Sequence, residues 1–189
     1  MKNDFSQRKQ SILSKLDKSS KKSWDKKITL LCKKINSSED YYTTSSCSGR
    51  VVLMINQDKK EEGLFLKIYH DLISYNQLKE DLIQISKKNK RFLKFKQEPC
   101  ILHVACKNLE SAQKLYALAK LAGWKKSGII SSEKRFIVEL NSTERLEFPI
   151  IEKGKILVDD SFLKIIVRES NSKLKKSWNK VEKLEKLFN

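Results

Sequence analysis

A β-hairpin is the feature that most restricts the fold of this chain. The apolar run at residues 51–55 is followed by a charged segment at 56–62 and a second apolar run at 64–68. Two such runs joined by a short polar segment predict an antiparallel pair of strands. Further strands are predicted at residues 92–95, 100–106, 127–130, 135–140 and 146–150, with a short one near Ile156.

Apolar residues at helical spacing predict helices between these strands. A short first helix carries Phe5, Ile12, Leu13 and Leu16, and a second, capped by Ser23, carries Ile28, Leu31, Cys32 and Ile35. A third is expected over residues 71–88. The clearest helix begins after Asn108, a suitable cap, and ends near Gly123. A last helix is expected from Asp160 or Ser161 to Phe188.

This order of elements favours the α+β class, with a mixed, largely antiparallel sheet flanked by helices. No strand is followed by the G-x-G-x-x-G pattern, so a Rossmann fold is not expected. Only 5 Gly and 2 Pro occur, and a flexible linker is absent. We therefore predict a single compact domain over residues 1–189, with N-terminal helices at 1–36 and a C-terminal helix at 160–189.

The charge of the chain points to a polyanionic partner. There are 40 Lys and Arg against 23 Asp and Glu, a formal net charge of +17. Such an excess is typical of proteins that neutralise phosphates, although a merely Lys-rich surface is the alternative. No apolar run approaches the roughly 20 residues that a membrane span needs, and no signal peptide is recognisable. The four Cys lack metal-site spacing, so we expect reduced thiols, no bound metal and a cytoplasmic location.

One hydroxyl-rich block, residues 43–50, combines five Ser and Thr with Cys47, Gly49 and Arg50. Hydroxyls and loop N–H groups bind phosphates or base edges, Gly permits close backbone approach, and Arg offers a planar fork of donors. An ordinary Ser/Thr turn between two strands is the alternative. Composition by itself favours neither interpretation.

Other candidate residues have equally plain alternatives. Lys21 and Lys22 lie beside Ser23 and Asp25, which are interpreted as a helix cap and a favourable charge in the first helical turn. His103 shares a strand face with apolar residues, and His70 ends a strand. A basic run could follow an RNA backbone, or could be a solvated face. Its members are Lys87, Lys88, Lys90, Arg91, Lys94 and Lys96, with Phe92 and Phe95 between them.

Four blocks in order resemble the family of tRNA wybutosine-synthesising protein three, found in archaea and eukaryotes. The first is Asp17, Ser19, Lys21, Ser23 and Asp25. The others are residues 42–51 (YTTSSCSGRV), 98–106 (EPCILHVAC) and 122–129 (AGWKKSGI), followed by Ser142, Thr143 and Pro149. Five positions depart from the family pattern: Lys22, Phe65, Tyr69, Cys100 and Asn141. These departures leave the details of the substrate open.

The resemblance implies a methyltransferase that uses S-adenosylmethionine. Its substrate would be a ring nitrogen of the tricyclic guanosine derivative at position 37 of tRNA(Phe), bound through the anticodon stem-loop, with neither DNA nor membrane as partner. It implies a cofactor site at Ser45, Ser46, Cys47, Ser48, Gly49, Arg50, Ser127 and Gly128. His70, His103 and Asp25 are the candidate bases. Lys21, Lys22, Lys87, Lys88, Lys90 and Arg91 would hold RNA, and Tyr42 or Trp124 would stack on the base.

Two rival functions are left open by the residues. One is a non-catalytic RNA-binding protein, which the charge alone would predict. The other is a methyltransferase that acts on another tRNA nucleotide. Binding of S-adenosylmethionine separates the first from an enzyme, and assay on defined tRNA separates the second.

Overall fold

The computed structural model describes residues 4–15, 24–57, 63–133 and 135–188. In this part of the chain the helices are α1 (Asp4–Leu13), α2 (Thr29–Ser37), α3 (Tyr75–Lys88), α4 (Leu109–Leu121) and α5 (Asp160–Leu187). The strands are β1 (Tyr41–Cys47), β2 (Arg50–Ile55), β3 (Phe65–Tyr69), β4 (Leu93–Glu98), β5 (Ile101–Cys106), β6 (Gly128–Ser131), β7 (Phe136–Asn141), β8 (Leu146–Glu152) and β9 (Lys155–Ile156). Within the same residues, no helix is both long and apolar enough for a membrane span.

The strands form two sheets in which every pairing is antiparallel. Sheet A has the order β1-β5-β7-β6, and sheet B has the order β3-β2-β4-β8-β9. The predicted hairpin is confirmed, since β2 pairs with β3 with Val51 opposite Tyr69. The α+β class and the antiparallel pairing are also confirmed. The division into two sheets was not predicted, because it depends on which distant strands pair.

The chain divides into two compact units. Unit 1 comprises Met1–Ser48, Cys100–Thr143 and Ser177–Asn189, and unit 2 comprises Gly49–Pro99 and Glu144–Lys176. Sheet A belongs to unit 1 and sheet B to unit 2, while α5 contributes residues to both. The organisation of residues 1–189 as a single domain stays a prediction.

The main core of unit 1 lies on one face of sheet A. Alternate residues of β5 and β7 point into it, together with apolar side chains of α2, α4 and the end of α5. Leu102, Val104, Val138 and Leu140 are completely buried there. The strand period of two places the intervening residues on the opposite, outer face of sheet A.

The helix boundaries agree with the predicted caps where a local hydrogen bond decides them. Asn108 caps α4 and accepts a bond from Ser111 N at 2.8 Å, and Gly123 follows the helix with φ +90°. Helix α3 begins at Tyr75, later than predicted, because Ser74 is its cap. Helix α2 begins at Thr29, and the predicted cap Ser23 lies outside the described residues.

Candidate functional site

The hydroxyl-rich block is mostly a strand and not the turn that was its plain alternative. Residues up to Cys47 belong to β1, which pairs with β5. The register shifts between Thr43 and Ser45, so Ser45 and not Thr44 lies opposite His103. Such a bulge re-aims the side chains that follow it. It places Ser45 and Cys47 on the outer face of sheet A.

A polar row crosses the outer face of sheet A. Ser45 of β1 lies opposite His103 of β5, His103 lies opposite Glu139 of β7, and Glu139 lies opposite Gly128 of β6. The first three are joined by hydrogen bonds. Ser45 Oγ lies 2.9 Å from His103 Nδ1, and His103 Nε2 lies 2.9 Å from Glu139 Oε2. We call Ser45, His103 and Glu139 the relay.

The bonding pattern assigns a direction to the relay. The Glu139 carboxylate can only accept, so it favours the tautomer in which His103 Nε2 carries the proton. His103 Nδ1 is then free to accept a proton from the Ser45 hydroxyl. The side chains of His103 and Glu139 each expose 29% of their surface, and Ser45 is exposed. The relay can therefore exchange a proton with a bound molecule.

The row ends at Gly128, beside Glu139. A Cβ atom built on Gly128 would meet no atom of the described protein within 4 Å, and its φ is not in the left-handed region. Neither packing nor backbone conformation therefore requires glycine at this position. The missing side chain leaves open space beside the relay.

The next row along the outer face is apolar and is covered by α1. Tyr42, Ala105 and Ile137 form it, and Phe5 and Ile12 of α1 pack on them. The Phe5 and Tyr42 ring centroids are 5.2 Å apart, and Tyr42 is only 1% exposed. Tyr42 therefore presents no free ring face in this structure. The hypothesis that Tyr42 stacks on a nucleobase stays an untested prediction.

Trp124 is also a core residue. It is 0% exposed, and its Nε1 donates to Lys180 O at 3.1 Å within unit 1. The positive φ of Gly123 ends α4 and turns the chain, after which the indole packs into the core. In this structure both ring faces of Trp124 are covered by protein, and its stacking on RNA stays an untested prediction.

Asp25 holds the end of the hydroxyl block. Its Oδ2 accepts hydrogen bonds from Ser48 N at 3.0 Å and Ser48 Oγ at 3.2 Å, and Ser48 is completely buried. Asp25 precedes α2, so the interpretation of its charge as part of the first helical turn is wrong. Gly49 follows with φ +93°, a conformation that only glycine adopts readily. These two residues explain the last positions of the block.

Three buried polar atoms lie at the end of sheet A where β5 begins. Ser46 Oγ, Asn141 Oδ1 and Ser142 Oγ have no hydrogen-bond partner among the described residues. Ser46 lies opposite Leu102, Asn141 lies opposite Ile101, and Ser142 N donates to Cys100 O at 3.1 Å. An unsatisfied buried polar atom costs about 1–3 kcal/mol. Ser46 shares the core face of sheet A with Leu102, whereas Asn141 shares the outer face with Ile101, so a ligand that satisfied both would have to reach around this end of the sheet.

Ser127 has a different environment from Ser46. Its hydroxyl donates to Trp124 O at 2.8 Å and accepts from Asn141 N at 3.3 Å. These bonds join the turn after α4 to β7. Ser127 therefore positions Asn141, and its own contact with a cofactor stays a prediction.

In unit 2, Arg50 is fixed by a carboxylate and a ring. Its Nε lies 2.6 Å from Glu98 Oε2, and its guanidinium lies 5.0 Å from the centre of the Phe65 ring. Burial alone would raise the pKa of Glu98, but Arg50 and Lys96 outweigh it and hold this pKa below its usual value. Arg50 is thus pre-organised.

The three candidate bases belong to different units. His70, which follows β3, belongs to unit 2, whereas Asp25 and His103 belong to unit 1.

The chain matches the family described as methyltransferase TYW3 over residues 7–189. The chain belongs to the methyltransferase TYW3 family. A Methanocaldococcus jannaschii relative is 41% identical over 175 residues, which cover 86% of this chain and 88% of the relative. It is named tRNA(Phe) 7-((3-amino-3-carboxypropyl)-4-demethylwyosine(37)-N(4))-methyltransferase. The human tRNA wybutosine-synthesizing protein 3 homolog is 32% identical over 186 residues, which cover 95% of this chain and 70% of that protein.

A solved structure shares the fold of this chain. The PH1069 protein of Pyrococcus horikoshii superposes with a TM-score of 0.86 at 36% identity, covering 97% of this chain and 93% of that chain. The resemblance seen in the four sequence blocks is therefore confirmed, as is the enzyme class, methyltransferase. A methyltransferase requires a methyl donor, and the three unsatisfied polar atoms of unit 1 offer partners for a polar one.

The departures from the TYW3 pattern have local explanations in three cases. Phe65 supplies a ring that makes a cation–π contact with Arg50. The Tyr69 hydroxyl donates to Asp81 Oδ2 of α3 at 2.5 Å, which ties β3 to that helix. Asn141 donates to Glu139 Oε1 at 3.4 Å, next to the relay. Cys100 is buried in the core, and Lys22 lies outside the described residues.

The predicted RNA-binding residues of unit 2 are accessible. Lys87, Lys88, Lys90 and Arg91 are all exposed. Lys21 and Lys22 lie outside the described residues. No RNA contact is tested by these observations, so the assignments stay predictions.

Glu139 is the functional candidate that the sequence interpretation missed. The alternation of Phe136, Val138 and Leu140 marks it as an outward-facing acid on an apolar strand. That signal could have singled it out. Its pairing with His103 could not be predicted, because the register between β5 and β7 depends on how the two strands pack together and not on the sequence of either strand alone.

Proposed function

We propose that this protein methylates N4 of 7-(3-amino-3-carboxypropyl)-4-demethylwyosine at position 37 of tRNA(Phe), with S-adenosylmethionine as the donor. The family match over residues 7–189 is the observation that carries the proposal. The names of the archaeal relatives supply the substrate. The net charge of +17 suits a tRNA substrate, and we propose that the anticodon stem-loop is the bound part.

The residues that would hold the cofactor lie in the hydroxyl block and beside it. Ser46 Oγ, Asn141 Oδ1 and Ser142 Oγ have unused hydrogen-bonding capacity, which suits the amino, carboxyl and hydroxyl groups of S-adenosylmethionine. The sulfonium of this cofactor supplies a methyl group that is already activated. The protein's own task is then to orient the acceptor nitrogen, exclude water and remove a proton.

The relay is suited to removing that proton. Ser45 can accept the proton from the acceptor nitrogen while its own hydroxyl proton passes to His103 Nδ1. Glu139 keeps Nε2 protonated and stabilises the imidazolium that results. His103 is therefore our proposed base, with Ser45 as the group that contacts the substrate. Asp25 acts as a positioning residue for Ser48 and the turn at Gly49.

Nucleoside analysis of a reconstituted reaction tests the function. Purified protein, S-adenosylmethionine and tRNA(Phe) carrying the 4-demethyl precursor should yield a nucleoside heavier by one methyl group in mass spectrometry. The matched control is the same tRNA with unmodified guanosine at position 37, which should give no product. Cofactor binding without product from the precursor would assign the enzyme to another nucleotide. RNA binding without any cofactor binding would identify a non-catalytic RNA-binding protein.

Cysteine labelling tests the place of the cofactor. Cys47 is half-buried on the outer face of sheet A, whereas Cys32, Cys100 and Cys106 are buried. Burial raises the pKa of the Cys106 thiol to about 12, which suppresses the reactive thiolate. Iodoacetamide should therefore modify Cys47 first, as read by peptide mass spectrometry. Saturating S-adenosylmethionine should slow that modification, and an unchanged rate with cofactor bound would remove Cys47 from the site.

A further inference from the structure

One corner of unit 2 gathers cations from three separate segments. Lys87 and Lys88 lie in the last turn of α3, and Lys90 and Arg91 lie in the loop that leads to β4. Lys153 lies in the turn between β8 and β9, and Lys155 begins β9. All six side chains are exposed. We call these six residues the basic corner.

The β8–β9 turn is packed directly on the end of α3. Gly154 has φ +75°, and a Cβ atom there would lie 3.0 Å from Ser86 O and 2.9 Å from Lys90 Nζ. Only a residue without a side chain permits this approach. The register places Ile151 opposite Leu93, so β8 extends past the start of β4 toward the loop. Backbone packing therefore holds Lys153 and Lys155 beside the lysines of α3.

Within the part of the chain that the structure describes, no acid lies within ion-pair distance of the six cations of the basic corner. Glu152 is the one acid beside them in the β8–β9 hairpin, where it lies opposite Lys155 without forming an ion pair with it. Other lysines of unit 2 are paired: Lys67 with Asp81, Lys79 with Asp160, Lys94 with Glu147 and Lys96 with Glu98. Arg91 donates to the neutral side chain of Gln57. Six exposed cations held together by the backbone favour a polyanion.

Phe92 indicates which polyanion fits. It follows Arg91, is 38% exposed, and its carbonyl accepts from Asn56 N at 2.9 Å. An exposed ring whose backbone is anchored at the edge of a cationic surface can stack on an unpaired base while the lysines contact phosphates. We propose that the basic corner binds the phosphate backbone of the RNA substrate, with Lys153 and Lys155 as phosphate contacts. This inference rests on the proposed function and extends it to residues outside the site of methyl transfer.

Salt-dependent binding of unmodified tRNA(Phe) to the full chain tests the proposal. The double variant Lys153→Gln and Lys155→Gln removes two phosphate contacts. The slope of log affinity against log salt should therefore become shallower by about 1.4, because each contact contributes about 0.7. The matched control is Lys107→Gln with Lys114→Gln, which also removes two exposed lysines. Those two are already paired, with Asp40 at 3.2 Å and Glu110 at 3.0 Å. The control should leave the slope nearly unchanged.

Three outcomes would overturn the proposal. If both double variants lose the same amount of slope, the effect comes from net charge and not from the basic corner. If the slope is unchanged in both, the RNA binds at another surface. Loss of binding to phosphatidylserine vesicles with unchanged tRNA binding would assign the corner to an anionic membrane. Methyl transfer is measured separately at saturating tRNA, on the wild-type protein and on the Lys107/Lys114 control, so that the proposed function is tested apart from the RNA surface. A reduced slope in protein that fails to methylate would contradict the proposed function and leave the RNA surface standing.

Discussion

Replacing His103 with glutamine is expected to lower the turnover number for methyl transfer by about 10²- to 10⁴-fold, the range found for loss of a general base. The fold should be kept, because His103 is partly exposed on the outer face of sheet A and not part of the buried core. Steady-state rates on precursor tRNA measure the effect, and circular dichroism checks the fold. A variant with wild-type turnover would remove His103 from proton transfer.

Glu139→Gln separates positioning from structure in the same relay. An amide can donate to His103 Nε2, which would move the ring proton to Nδ1 and remove the acceptor that faces Ser45. The corresponding acid-to-amide change in serine-protease triads costs about 10⁴-fold with the geometry intact. The ¹⁵N shifts of His103 should report the change of tautomer, which a merely structural role for Glu139 would not produce.

A matched pair of hydroxyl variants controls this experiment. Ser45→Ala removes the hydroxyl that contacts His103 Nδ1, and its turnover number should fall about as far as that of His103→Gln. Thr44→Val removes the neighbouring exposed hydroxyl, which is bonded only weakly to His103 O at 3.3 Å, and should change little. Equal losses in the two variants would attribute the effect to the bulge in β1 and not to the relay.

Filling the space at Gly128 is the second change with a large expected effect. Gly128→Val should leave the thermal midpoint equal or higher, because glycine costs about 0.5–1 kcal/mol in a strand and the new side chain meets no protein atom. It should nevertheless weaken cofactor or substrate binding at least about tenfold, since its methyl groups would occupy the open space beside Glu139. Calorimetric titration and tRNA binding measure the two affinities.

Ser131→Val is the control for Gly128→Val. Ser131 belongs to the same strand, but lies opposite Ile137 in the row that α1 covers. It should therefore alter neither affinity. If the Gly128→Val variant binds cofactor and tRNA as tightly as the wild type does, the open space beside Glu139 is not part of the binding site.

Much of the secondary structure could be predicted because its causes are local. The Asn108 cap and the positive φ of Gly123 bound α4 through contacts within a few residues. The hairpin of β2 and β3 follows from two apolar runs separated by one polar segment. By contrast, α2 begins at Thr29, later than predicted, and the preceding Asp25 bonds to Ser48, a residue 23 positions away.

The candidate site could be predicted as a block and not as an arrangement. The pattern at residues 42–51 directed attention to Ser45 and Ser46, and the third block included His103. The sequence pattern could not predict which of the candidate side chains are exposed to solvent. Trp124 and Tyr42 have the ring chemistry for stacking, but packing buries both. Lys153 and Lys155 could not be predicted as part of the basic surface, because only the packing of Gly154 against the end of α3 brings them close to the lysines of that helix.

By itself, then, the sequence determined the α+β class, most helix ends and membership of the TYW3 family, since caps, periodicity and motifs act over short stretches of chain. The tertiary structure decided that Ser45, His103 and Glu139 form one relay. Three strands from distant parts of the chain meet in a register that is set by burying Leu102, Val104, Val138 and Leu140 on the other face of sheet A. A shift of one residue in either pairing would turn the relay into the core.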